Sequence, residues 1–140
     1  MGFELKKIGD ESFGMAESLI REKSYFFALE IIGLYKTLLK QNEYVLSKQL
    51  LKSGTSIGAN VEEALAGQSR ADFLSKMSIA SKEARETNYW LRLLKDSGII
   101  SKTEIEPLLA ESERALNNGI FQVNGDFPQF FRVSHFDSGR

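Results

Sequence analysis

Residues 52–64, KSGTSIGANVEEA, gather three hydroxyls, two glycines and a lysine. Two chemistries use such a set. A phosphate cradle needs the order G-x-x-x-x-G-K-[ST], with lysine after the glycines so that it reaches the outer phosphates. Here Lys52 precedes them, and the pattern is absent. Nucleophilic catalysis from Ser53, Thr55 or Ser56 would need a base, yet no histidine lies nearby in sequence. An exposed lysine stays protonated unless it is desolvated. The single histidine, His135, rules out a di-iron bundle built on two Glu-x-x-His helices. The absence of cysteine removes thiolate chemistry, cysteine metal sites and disulfides together. We expect no catalytic residue, metal site or cofactor, hence a non-enzyme.

Asn60 falls in the apolar stripe of its segment and Glu63 at its edge. Polar groups there must find partners or cost a few kcal/mol. Thr87, Asn88, Ser81 or Arg85 of the following segment are plausible partners, and Asn60, Glu63 and Thr87 are expected to form a buried polar network. A ligand site, or an enzyme site on Asn60 and Glu63, is the alternative and ranks last.

Charge points elsewhere. The total is −1 with a pI near 5.9, which by itself does not advertise nucleic-acid binding. The distribution is uneven, however: residues 36–52 and 70–95 each carry a net +3, whereas 101–126 carry −3. At 100° per residue, Arg70, Arg85, Arg92 and Lys95 share a sector of about 80° on one helix. Signs intermix on most salt-bridged surface helices, so this segregation suggests an anionic partner. With Lys48 and Lys52, these residues are the candidate phosphate contacts for RNA or DNA. The competing reading is a solvated face, or ion pairs to Glu111 or Glu113 of a neighbouring subunit.

These residues must be positioned by helices, because proline occurs only at 107 and 128. Four helical segments can be read. The first spans about Glu17 to Gln41, with Phe27, Ile31, Leu34 and Leu38 at 4-3-4 spacing. Asn42 is expected to break it and can cap the second, whose core positions are Leu46, Leu50, Ser53, Ile57, Val61 and Ala64. The apolar period runs through KSGTSIGAN without losing phase, so this stretch reads as helix. Each glycine costs a helix roughly 1 kcal/mol relative to alanine. Close approach of a neighbouring helix at Gly54, Gly58 and Ala59 would compensate.

Ser69 with Asp72 makes a capping box for the third helix, about Arg70 to Ser97, which Gly98 stops. Ser101 or Thr103 caps a fourth to about Asn118, with Pro107 in or just after its first turn. Short loops between four helices predict an all-α, up-down-up-down antiparallel four-helix bundle. Phe26, Ile79 and Trp90 project away from the core stripes and are the expected subunit contacts of an oligomer.

The domain plan is an N-terminal segment over 1–16, irregular or a short helix, the bundle over 17–118, and a tail over 119–140. The tail holds five phenylalanines and no helical period. It is expected to fold back on the bundle or a neighbour, or else to be disordered. The N-terminus lacks the apolar core of a signal peptide, and no segment is apolar enough to span a bilayer. A cytoplasmic protein is expected, without membrane contact.

Two blocks carry a family resemblance. Ser56, Ile57, Asn60, Val61, Glu63 and Ala64 match S-I-x-x-N-[IV]-x-E-[GA]. Phe73, Ala80, Glu83, Glu86, Trp90 and Leu91 match F-(6)-A-x-x-E-x-x-E-(3)-W-L. Over about Lys23 to Leu116 the chain resembles the bacterial S23, or 23S rRNA intervening-sequence, proteins. The resemblance implies a bundle that assembles as a pentamer. It also implies kinship with the accessory protein of diversity-generating retroelements, which resembles a basic barrel binding nucleic acid and a reverse transcriptase. Those accessory proteins are strongly basic, unlike this chain, and the Phe-rich tail has no counterpart in the pattern.

Overall fold

The computed structural model describes residues 10–117. Its helices are α1 (Asp10–Lys40), α2 (Leu46–Leu65), α3 (Arg70–Asp96) and α4 (Lys102–Asn117). No strand occurs among the described residues, so the fold is all-α with four helices. Helix α1 begins seven residues before Glu17, so residues 10–16 are helix. The expectations for residues 1–9 and for the aromatic tail lie outside the described residues.

The apolar stripes meet as their spacing requires. Ile20, Phe27, Ile31, Leu34 and Leu38 of α1 close on Leu50, Ile57, Val61 and Ala64 of α2. Phe73, Met77, Ala80, Ala84, Leu91 and Leu94 of α3 complete the core with Ile105, Leu108 and Leu109 of α4. Helix α2 packs extensively on both α1 and α3, α4 packs on α3, and α4 touches α1 only lightly.

The glycines of α2 mark where α1 comes closest. A Cβ on Gly54 would lie 2.8 Å from both Cγ1 and Cγ2 of Ile31. One on Gly58 would lie 3.3 Å from the Ser24 carbonyl oxygen. The glycines are there because α1 occupies the space that side chains would need.

The ends of the helices have specific causes. Ser69 accepts a hydrogen bond from the Asp72 N–H at 3.1 Å, the expected cap of α3. Gly98, at φ 74°, adopts the left-handed conformation that stops α3. Asn42 does not cap α2. It sits at φ 61°, ending α1, and its carboxamide oxygen accepts from the Tyr44 hydroxyl at 2.8 Å.

Glu43 caps α2 instead. Its carboxylate accepts from the N–H groups of Val45, Leu46 and Ser47 at 3.3, 3.1 and 2.7 Å. Burial pushes this carboxyl up, but the N–H groups of Leu46, Ser47 and Val45 outweigh it and hold the pKa below the ordinary value. In α4, Ser101 accepts from the Glu104 N–H at 3.4 Å. Pro107 lies in the sixth position of α4, beyond the first turn, and removes one interior hydrogen bond.

Candidate nucleic-acid interface

The six candidate bases do not form one surface. Arg85 and Arg92 are both exposed and, two turns apart, lie on the same flank of α3. Neither has an ion-pair partner among the described residues. Arg70 opens the same helix and is exposed. Lys95 is three-quarters covered and 4.0 Å from Asp96.

Lys48 and Lys52 of α2 are exposed too, but Lys52 stands beside Glu83 and opposes the rise of its pKa. Burial raises Glu83 most, and the neighbouring Glu86 adds to it. Glu83 is about 160–180° around α3 from Arg85 and Arg92. Lys52 therefore lies on the opposite flank, beside Glu83, and does not join the arginines. Charges on two helices cannot be registered by wheel arithmetic on either one alone.

Arg92 is held in place from inside the protein. Its Nε–H donates to the Asn88 Oδ1 at 2.9 Å. The Asn88 amide donates to the Ser112 hydroxyl of α4 at 2.9 Å, and that hydroxyl donates to the Leu109 carbonyl at 2.8 Å. Asn88 and Ser112 are buried. This chain of bonds ties α3 to α4 and fixes the guanidinium through Nε alone, leaving its two terminal amino groups for a partner.

The expected network of Asn60, Glu63 and Thr87 does not form. Asn60 donates back to the Ser56 carbonyl at 2.8 Å, and Thr87 to the Glu83 carbonyl at 2.7 Å. Glu63 is exposed and pairs with Lys76 at 2.9 Å. Local backbone acceptors one turn away satisfy both polar groups at less entropic cost than cross-helix partners. The buried polar link is instead Asn88 with Ser112. Its sequence signal was present: Ser112 falls in the apolar stripe of α4, and Asn88 borders that of α3 one residue after Thr87.

Among the candidate subunit contacts, Phe26 is half exposed and packs edge-on to Tyr25, with ring centroids 5.8 Å apart. Ile79 is exposed, while Trp90 is partly covered and donates from Nε1 to Glu86 at 3.3 Å. Met15, Leu19 and Leu29 extend the exposed apolar surface around Phe26 along α1.

Where α1 and α4 barely meet, a cavity of about 320 Å³ opens. Ile20, Phe27, Ile57 and Ala115 line it, with Lys23 and Arg114 also at its wall. On the same seam Glu30 of α1 faces Glu111 of α4. Burial raises the Glu30 pKa first, and the charge and hydrogen bond of Glu111 raise it further. Glu111 is thus engaged within its own chain.

A carboxyl whose pKa rises on folding binds its proton more tightly in the native state. That stability is present below the unfolded pKa and lost as pH rises through the raised one. Glu30→Gln is expected to stabilise the protein at pH 7 by a few tenths of a kcal/mol. The gain should vanish below about pH 4, where wild type is also neutral. Urea melts at both pH values check this; equal gains at both would contradict it.

Among the described residues no group of three His, Cys, Asp or Glu could hold a metal ion, and no helix is long and apolar enough to cross a membrane. Fold and surface together define a class: a small, all-helical protein with a segregated basic flank on α3. The profile of the 23S rRNA-intervening sequence proteins matches residues 16–118, and the chain belongs to that family. It is similar to a solved protein of unknown function from the S23 ribosomal protein family of Bacteroides thetaiotaomicron, at 44% identity and a TM-score of 0.72. That match covers 77% of this chain and 99% of the other. No curated protein matches.

Proposed function

We propose that this chain is a non-enzymatic, cytoplasmic, homo-oligomeric bundle that binds structured nucleic acid, or a nucleic-acid-processing protein, through the α3 flank bearing Arg85 and Arg92. The observation that carries this is a pair of exposed arginines without carboxylate partners among the described residues, one of them oriented from the core. The family's link to intervening sequences of 23S rRNA agrees with it. Up-down-up-down topology is supported by Gly54 meeting Ile31 while Gly58 meets Ser24, numbers running in opposite senses. Exposed Phe26 and Ile79, with Leu29 and Met15, supply apolar surface for a homo-oligomer, which we take to be a pentamer.

The second reading is a protein-only interaction module in which the same arginines pair with carboxylates of another subunit. It is favoured by Glu113, which is exposed on α4, and no longer by Glu111.

The test is fluorescence anisotropy of a labelled RNA stem-loop titrated with protein at 50 and 200 mM salt. Each phosphate contact contributes about one unit to the slope of log affinity against log salt. Arg85→Glu with Arg92→Glu is expected to cut affinity at least tenfold and lower the slope by about two, with unchanged oligomer mass. Dissociation of the oligomer in this variant would favour the second reading. Unchanged binding and unchanged mass would remove both roles.

A further inference from the structure

The exposed ring of Tyr89 lies between the two arginines in sequence, four residues after Arg85 and three before Arg92, so all three share one side of α3. Tyr89 is 47% exposed. Trp90 packs edge-on against it, with ring centroids 5.1 Å apart and planes at 68°. Trp90 is itself tethered to Glu86. The Arg92 guanidinium carbon also stands over the ring, 5.9 Å from its centroid. The hydrogen-bond chain from Leu109 through Ser112 and Asn88 holds that guanidinium there.

We infer that Tyr89, Arg92 and Arg85 form a stacking site for an unpaired nucleotide of the bound nucleic acid. The inference rests on the nucleic-acid reading above and narrows its partner. A flat ring fixed next to preoriented donors matches a base beside its phosphate. The base stacks on Tyr89, the terminal amino groups of Arg92 take the phosphate, and Arg85 takes the next one. A duplex keeps its bases stacked on one another and offers nothing to the ring. An acidic peptide would use the arginines and leave Tyr89 idle. The site therefore selects loops, bulges or single strands.

Two RNAs test this: a hairpin with a six-nucleotide loop, and its stem alone as a blunt duplex, each labelled and titrated by anisotropy. Wild type is expected to bind the hairpin more tightly. Tyr89→Ala should weaken hairpin binding roughly 5- to 150-fold, the range for losing one stacked base. It should leave duplex affinity and the salt slope unchanged, and Tyr89→Phe should retain wild-type binding. Equal affinity for both RNAs, unmoved by Tyr89→Ala, would overturn the stacking site and leave the phosphate reading standing. Binding of neither RNA would end both. A change of oligomer mass in Tyr89→Ala would assign the ring to a subunit contact and overturn the inference.

Discussion

Phe73→Ala is expected to cost about 3–5 kcal/mol, the range for deleting a fully buried aromatic ring. Phe73 has no exposed surface and stands one turn after the Ser69 cap. Its N–H donates to the Ser69 carbonyl at 3.0 Å, so ring and cap are fixed by the same turn. Asp72 lies against the Gly67 position, where an added Cβ would stand 2.9 Å from the Ala64 carbonyl oxygen and 3.0 Å from the Asp72 carboxylate. For a chain of this size each kcal/mol lowers Tm by roughly 3–5 °C. Calorimetry at one fixed protein concentration measures it. A fall of only a few degrees would mean that the α2–α3 junction repacks.

The second large effect is at Gly54, where the sign of a helix-propensity argument is reversed by tertiary contact. Taken alone, α2 should gain about 1 kcal/mol from Gly54→Ala. The new Cβ, however, would meet two Ile31 carbons at 2.8 Å, and Ile31 is itself fully buried and cannot swing away. Overpacking of this kind costs about 1–3 kcal/mol and more for larger side chains. Gly54→Ala is thus expected to destabilise, and Gly54→Leu to cost about 3 kcal/mol or more. Gly33 of α1 is the control, because nothing lies within 4 Å of its Cβ position. Gly33→Ala should stabilise by up to about 1 kcal/mol. Chemical denaturation of the three variants decides the matter; equal gains at both glycines would mean that α1 does not press on α2.

Much of this was legible in the residues. Periodicity located all four helices because burial of one face imposes a 3.6-residue repeat whatever the partner is. Ser69, Asp72 and Gly98 announced the ends of α3 because capping is local. The two S23 blocks announced the family. Where the reading failed, the failure had a physical form. Asn42 was the better cap by residue type, but its left-handed backbone ends α1, and the longer Glu43 carboxylate reaches the N–H of Val45 and those of Leu46 and Ser47 in the first turn of α2. Asn60 and Thr87 had apolar-stripe positions, yet each satisfied itself on a carbonyl one turn back.

From one dimension came the elements, their inward faces, the glycine stretch that had to be helix, and the segregation of charge along α3. These depend on spacings within a single segment. Only the packed protein decided which helix the glycines admit, that Lys52 stands beside Glu83 while Arg92 has no carboxylate partner among the described residues, and that Asn88 and Ser112 carry an arginine's orientation out from the core. Each of these sets the rotation and register of one helix against another, and no single helix's wheel contains that information.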